Sequence, residues 1–273
     1  MITLEDASFR YPIWQRRVNP STVTSDIGGR IFKEKGRFYV EAMRNMNLTV
    51  PSGSRVGLIG MNGSGKSTLL KVCAGILPVT EGKVTIEGDI STLFATTIFS
   101  NPHLTGIENI RLLGAICGIH GSELDFVVEE VREFSELGAF IEMPVAAYSA
   151  GMRSRLGFGF ATSLRRDILL VDEVIGAGDL AFYQKARAKV IDMLNDASTI
   201  IIASHSMNVI KTFCEEALWI RNGQVEGFGA VGDVTSDYVK YVKRWGAEKR
   251  AQMAGKISSG QVSTSVAGKT SGL

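Results

Sequence analysis

The rhythm of hydrophobic and polar positions changes several times along the chain. Ile2–Tyr11 alternates apolar and polar residues with the two-residue period of a half-buried strand, and Val40–Val50 does the same. Arg55–Ile59 is a short apolar run, followed by a glycine-rich turn and a helix from Lys66 that Gly75 and Pro78 bring to a stop. Val84–Glu87 reads as a short strand, Leu104–Phe140 as mostly helical, and another helix is expected to begin at Ser149. Ile168–Val171 and Thr199–Ala203 are apolar at every position and are separated by a helical pattern over Phe182–Asn195. Strands with two apolar faces belong in a parallel sheet covered by helices, so the chain predicts an α/β fold. No internal repeat is found. From Gly246 onward the composition shifts, and Ala254–Leu273 has no aromatic residue and is dominated by Gly, Ser and Thr, which predicts a flexible tail over 246–273.

Composition narrows the class. With 273 residues, 45% hydrophobic and 21% charged, the chain can bury a sizeable core. Thirty Lys and Arg against 28 Asp and Glu leave a formal charge of +2, too balanced to demand nucleic acid as the main partner. Cys73, Cys117 and Cys214 are far apart and odd in number, so neither a disulfide framework nor a zinc finger fits, and a reducing compartment is expected. The N-terminus places acidic residues where an export signal needs basic ones, which predicts a chain that is not exported. Its longest charge-free stretch, Ile90–Ile107, is broken by Ser, Thr, Asn, Pro and His, short of the roughly 18 apolar residues of a spanning helix. Any work at a membrane would need another protein to cross it.

The chemistry starts at Gly60-Met61-Asn62-Gly63-Ser64-Gly65-Lys66-Ser67, followed by Thr68, which fits the G-x-x-x-x-G-K-[ST] phosphate loop between a predicted strand and a predicted helix. Glycines let backbone N–H groups turn toward a phosphate, and the helix N-terminus adds about half a positive charge. Lys66 is then placed for the β- and γ-phosphates and the Ser67 hydroxyl for Mg²⁺. A second element, Ile168-Leu169-Leu170-Val171-Asp172-Glu173, is an apolar strand ending in two carboxylates, at the end where parallel sheets present their ligands. Asp172 suits the metal, and Glu173 suits the polarisation of an attacking water as general base. A third, Tyr148-Ser149-Ala150-Gly151-Met152-Arg153, opens a helix-forming run, with Ser149 as N-cap and the helix dipole available to an anion.

With these three elements in this order, the sequence resembles the ATP-binding subunits of ABC transporters, whose signature motif occupies the place of residues 148–153. The resemblance covers about residues 1–245 and implies a P-loop NTPase with a parallel-sheet core, an antiparallel β-subdomain and a helical subdomain over about 95–160. It extends to a D-loop at Gly176-Ala177-Gly178-Asp179 and a switch histidine at His205. The variants YSAGMR, DEVIGAGD and NPHLTGIENI are similar to the branch that exports capsule, lipopolysaccharide O-antigen and teichoic acid, a branch that also carries an insertion near the N-terminus, here about 13–37. Its longer members carry a C-terminal carbohydrate-binding domain, which this sequence is not expected to contain. Two positions depart from the family pattern. Ile90–Thr97 has no Q-loop glutamine, leaving Thr96 or Thr97 as substitutes, and either Tyr11 or Tyr39 could stack on adenine.

What the resemblance implies is an ATPase that works as a head-to-tail pair. ATP with Mg²⁺ would lie on one subunit's phosphate loop, and Ser149, Gly151 and Met152 of a second copy, with Asp179, would close on it. The partner would be a membrane-spanning permease at the cytoplasmic face of the plasma membrane, with Phe94, Phe99 and Leu104 near the groove that receives it. A lipid-linked glycan would be handled indirectly and nucleic acid not at all. The alternatives are a transporter of another substrate or a soluble ABC-type ATPase acting on nucleic acid. From Arg10 to Arg37, across the insertion, Arg10, Arg16, Arg17, Arg30, Lys33, Lys35 and Arg37 face only Asp26 and Glu34 in sequence. Such charge suits a pyrophosphate-lipid headgroup, with Trp14 and Phe32 at its boundary, although a solvated hairpin would show the same charge.

Overall fold

The computed structural model describes residues 1–14, 29–94, 101–172 and 180–258. Strands β1 (Ile2–Ile13), β2 (Arg30–Glu34), β3 (Arg37–Val50) and β5 (Glu81–Ile86) form an antiparallel sheet in the order β2-β3-β1-β5, where β4 (Arg55–Ile59) belongs to a second sheet. That second sheet adds β6 (Ile90–Phe94), β7 (Ile168–Asp172), β8 (Thr199–Ala203), β9 (Glu216–Arg221) and β10 (Gln224–Ala230), in the order β10-β9-β4-β8-β7-β6. From β9 through β6 its neighbours are parallel, and only the β9–β10 hairpin is antiparallel.

Burial explains why the central strands read as uninterrupted apolar runs. On β7, Ile168 and Leu170 join one hydrophobic cluster while Leu169 and Val171 join another. The first cluster fills the space between the two sheets together with helix α1 (Lys66–Cys73), using Ile2, Leu4, Met43 and Met46 from the antiparallel sheet. The second is covered by α5 (Leu180–Asp196), α6 (Met207–Phe213) and α7 (Val231–Ser258), through Val190, Leu194, Ile210 and Val234.

A third core lies within the helices between β6 and β7. Helices α2 (Gly106–Ile116), α3 (Gly121–Ser135) and α4 (Ala150–Ser163) enclose Ile110, Val127, Val131, Ile141, Leu156 and Phe160. Helix α2 starts on a reciprocal cap, the Thr105 hydroxyl accepting from the Glu108 N–H while Glu108 accepts from the Thr105 N–H. The buried Asn109 side chain donates to the carbonyls of Asn101, Leu104 and Thr105 and accepts from the Asn101 N–H, tying the entry segment to the helix.

Several elements differ from the sequence expectation. Strand β2 falls inside the expected insertion and pairs with β3, so the last part of the insertion is an extension of the sheet. Residues 15–28, including Arg16, Arg17 and Asp26, lie outside the described residues. The expected basic excess is also smaller than the sequence count, because the Arg10 guanidinium lies 3.3 Å from Glu41, 2.9 Å from Glu81 and 3.8 Å from Glu34. Glu41 and Glu81 lie outside the window used for that count but are brought beside Arg10 by the sheet. Phe32 is stacked on Tyr39 and covered by Arg10, whereas Trp14 is 80% exposed. The tail expected from Gly246 is corrected at its start: α7 continues to Ser258. The stretch 246–258 still contains good helix formers, among them Ala247, Glu248, Lys249, Arg250 and Gln252, and the low-complexity composition sets in beyond it.

The separate helical core yields a stability test. Ile110 is fully buried in it. Replacing it by alanine is expected to cost about 2–5 kcal/mol. Amide exchange should then accelerate in α2 and α3 with little change in β7 and β8; equal acceleration in both would show a single cooperative core.

Candidate active site

The loop between β4 and α1 takes a shape open only to glycine at its two ends. Gly60 has φ 152° and Gly65 φ 111°, and a Cβ on them would sit 2.4 Å from the Ile220 carbonyl oxygen and 2.6 Å from that of Ala42. The loop is thereby pressed against β9 and β3, and the Gly223 N–H donates to the Ser64 carbonyl at 2.9 Å. Gly65 caps α1 without a side-chain hydrogen bond, and no acidic residue occupies the helix's first turn. Its N-terminal amides, together with Lys66, form an anion site. The buried Lys66 ammonium donates to the carbonyls of Gly60 at 2.8 Å and Met61 at 3.1 Å, which folds the side chain back over the loop.

Topology gathers the remaining residues. Strands β4, β8 and β7 are neighbours and parallel, so their C-terminal ends open on the same side. The first leads to the phosphate loop, the second to Ser204 and His205, and the third ends at the half-buried Asp172, which pairs with Ala203. Together they line a cavity of about 580 Å³, of the size that holds a small molecule. Its walls include Asn62, Gly63, Gly65, Lys66, Ser67, Thr68, Asp172 and His205.

Tyr11 also lines this cavity, its hydroxyl 3.4 Å from Thr68 Oγ1 and its ring edge-on to Phe9. Gly29, Val40 and Ala42 complete that wall. Val40 lies directly across from Tyr11 in the β1–β3 ladder, and Tyr39 points its ring onto Phe32 instead. Gly29, Val40 and Ala42 were missed as cavity residues from the sequence, since small apolar residues carry no chemical signature; only the alternation of Val40–Val50 hinted at a shared face, and Ser204 was missed beside His205. Gly60, Met61 and Ser64 do not line this cavity; Met61 and the buried Ser64 face a second, smaller pocket that Trp219, Asn222 and Tyr241 also line.

Ser149 caps α4 as expected, its hydroxyl accepting from the Met152 N–H at 3.2 Å. That bond occupies the Met152 amide, while Ser149 and Gly151 are exposed. None of the three is among the residues lining the cavity. Glu173, Asp179, Thr96, Thr97 and Phe99 lie outside the described residues. Phe94 is packed partly against the first hydrophobic cluster.

Residues 43–176 match the sequence model described as ABC transporter. The chain is 38% identical over 214 residues to the teichoic acids export ATP-binding protein of Bacillus anthracis, covering 78% of this chain and 39% of that protein. It is 42% identical over 199 residues to the O-antigen export system ATP-binding protein of Myxococcus xanthus, covering 73% of this chain and 46% of that protein. The chain belongs to the ABC transporter family. Its fold is shared with a dimeric ATP-binding cassette bound to ADP and phosphate in a post-hydrolysis state, with TM-score 0.62 and 22% identity over 85% of this chain and 99% of that one. The chain spans about half or less of the length of the two export proteins it matches. Among the described residues no helix is long and apolar enough to cross a membrane.

Mg²⁺ is the ion expected from the resemblance, and the donor set at the cavity would fit it. Ser67 and Asp172 bring a hydroxyl and a carboxylate to the same cavity, and hard oxygen donors of this kind, completed by water and phosphate, suit that ion.

The loop geometry yields the next test. Lys66→Ala should weaken binding of a fluorescent ATP analogue by about 10- to 100-fold, the worth of one or two hydrogen bonds to a charged group. Gly65→Ala should do at least as much, because its new methyl group meets backbone rather than a side chain that could move. Unchanged affinity in both would remove this loop from nucleotide binding.

Proposed function

We propose that the chain is the ATP-hydrolysing subunit of a transporter exporting a lipid-linked polysaccharide, working as a head-to-tail pair beneath a separate membrane-spanning permease. The observation that carries the chemistry is the convergence of Lys66, Ser67, Asp172 and His205 on one cavity from three adjacent strand ends. The teichoic acid and O-antigen export proteins among its relatives support the substrate class, and the dimeric cassette of the same fold supports the pairing.

The residues divide the work as follows. Tyr11, with Val40 beside it, offers a flat apolar wall to the adenine ring. Lys66 exchanges its two loop carbonyls for phosphate oxygens, a swap among acceptors it already reaches without new desolvation. Ser67 and Asp172 hold Mg²⁺, which when bound offsets the negative charge that builds on the phosphates. Glu173, next after Asp172, accepts a proton from the attacking water, and His205, at the end of the neighbouring strand, donates to the γ-phosphate. The exposed Ser149 and Gly151 close the site of a second copy, and Asp179 lies at the same interface. Hydrolysis removes the phosphate that both subunits grip, so the pair opens and moves the permease at the cytoplasmic face of the membrane.

Replacing Glu173 by glutamine keeps shape and removes the base. The variant should bind ATP normally, lose about 10²–10⁴-fold in turnover, and accumulate as a nucleotide-bound dimer visible by light scattering. Wild-type turnover would place the base elsewhere, and the absence of an ATP-dependent dimer would sink the head-to-tail mechanism.

A further inference from the structure

Helices α2 and α4 start side by side. The Val145 N–H donates to the Leu104 carbonyl and the Ala146 N–H to the Pro102 carbonyl, both at 2.9 Å, and Thr105 bridges to Pro144. The segment leading into α2 and the segment leading toward α4 are therefore paired like two short strands. Past the turn at Val145–Ala147, Tyr148 (φ −79°, ψ 140°) and Ser149 (φ −63°, ψ 164°) are extended and form a two-residue joint ahead of α4. Backbone alone leaves this joint soft, because the Tyr148 N–H bonds only the Val145 carbonyl of its own turn.

One side chain pins it. Tyr148 is 3% exposed, and its hydroxyl donates at 2.7 Å to the carbonyl of Phe140, in the turn Gly138–Glu142. The Gly106 N–H, one of the donors that α2 leaves without a helical partner in its first turn, faces the same oxygen. A Cβ on Gly106 would sit 2.5 Å from that oxygen and 2.8 Å from the Ile141 carbonyl oxygen, so a glycine is what lets α2 begin this close. Burial pushes the Tyr148 hydroxyl above its usual pKa, which keeps it a donor at neutral pH. A single buried hydroxyl thus joins the start of α2, the turn at 138–142 and the joint before α4.

The two neighbouring helix starts are finished differently. Helix α2 carries Glu108 in its first turn, so the positive end of its dipole is answered from within. Helix α4 has no acidic residue in its first turn, and Ser149, Ala150 and Gly151 are exposed. That open end is the group that the proposed head-to-tail mechanism turns toward a second copy, and Tyr148 directly precedes it. We propose that Tyr148 is a positioning residue for ATP hydrolysis, its hydroxyl fixing the start of α4 against α2 and the turn at 138–142 so that Ser149 and the Gly151 amide reach the second copy's nucleotide already placed. This inference rests on the pairing proposed above. Without the hydroxyl, the start of α4 must be ordered as the pair closes, and that lost freedom opposes dimerisation. Tyr148 is not among the walls of the nucleotide cavity, so the affinity of the single subunit is independent of it.

The test follows ATP turnover per subunit against protein concentration at saturating ATP and Mg²⁺, with monomer affinity measured by a fluorescent ATP analogue. In the wild type, turnover per subunit rises with concentration as pairs form. Tyr148→Phe keeps the ring and removes the hydroxyl. It should need about tenfold more protein for half-maximal turnover, the size of a typical coupling between sites, with analogue affinity unchanged within about twofold. Val127→Ala loosens the same helical core from α3 and leaves the Tyr148 hydroxyl its partners, so it should reach half-maximal turnover at the wild-type concentration. If Tyr148→Phe fails to fold, Gly106→Ala, which crowds the same oxygen from α2, should give the shift in its place. An unshifted variant, an equal shift in Val127→Ala, or a parallel loss of analogue affinity overturns the proposal. Wild-type turnover per subunit that is independent of concentration refutes the pairing instead, and Tyr148 is then judged by amide exchange over residues 150–152. Faster exchange in Tyr148→Phe supports its hold on α4, and unchanged exchange overturns it.

Discussion

The phosphate loop is held where it is by backbone that leaves it no slack. At Gly60 and Gly65 even a methyl group would strike a carbonyl oxygen, one from β9 and one from β3, and between them the Gly223 amide bonds the Ser64 carbonyl. The Arg44 amide donates in turn to the Gly223 carbonyl at 2.9 Å, so a single turn between β9 and β10 joins the loop to the antiparallel sheet. Much of the molecule follows from that contact. The two sheets must pack with β3 beside the hairpin of β9 and β10, the first hydrophobic cluster must fill the wedge between them, and Tyr11 and Val40 are delivered to the same opening as Lys66. A preorganised anion site of this kind is effective because its dipoles are fixed before the charge arrives.

Completeness of the site is a different matter. The cavity gathers groups from one chain, yet Ser149 and Gly151, the exposed N-terminal residues of α4, are not among its walls. The N-cap bond from Met152 to Ser149 holds the first turn in a defined shape while leaving the Ser149 hydroxyl a further lone pair to offer. A surface so prepared, without a ligand of its own chain, suits an incoming phosphate edge. The proposed division of labour is physically economical: the single subunit would bind the nucleotide, and the second copy would add what only a closed pair needs.

How much of this was legible in the sequence differs between residue types. Lys66, Ser67 and Asp172 could be assigned to one cavity because glycines, a lysine, and polar residues at the ends of apolar strands each have a local reason to be there, whereas His205 was reached only through the family resemblance. Ser149 announced its helix because an N-cap is a local bond. Strand β6 was hidden in a run of Ser, Thr and Phe at the sheet edge, where only one neighbour decides its conformation. The end of α7 was hidden by its boundary: helix formers and low-complexity residues merge around Ala254, and propensity alone locates such ends poorly. Gly29, Val40 and Ala42 were unreadable for a simpler reason, since a cavity wall made of small apolar groups is defined by what stands across from it.

Charge in the N-terminal hairpin shows the same limit from the other side. Counted along the sequence, Arg10 adds to a basic segment. Placed in the sheet, it is the centre of an ion-pair group with Glu34, Glu41 and Glu81, of which Glu41 is buried, and its guanidinium also covers Phe32. A buried carboxylate without such a partner would be strongly destabilising, so Arg10 anchors the hairpin to the sheet rather than facing solvent. The basic groups left to the surface are those further out, with Lys33 over Phe38 and Arg37 over the exposed Trp14. Cations resting on aromatic faces keep their charge while sharing its solvation with the ring. Any attraction of this hairpin for an anionic surface therefore belongs to its outer end, and the inner end serves the nucleotide cavity through Gly29 and Val40.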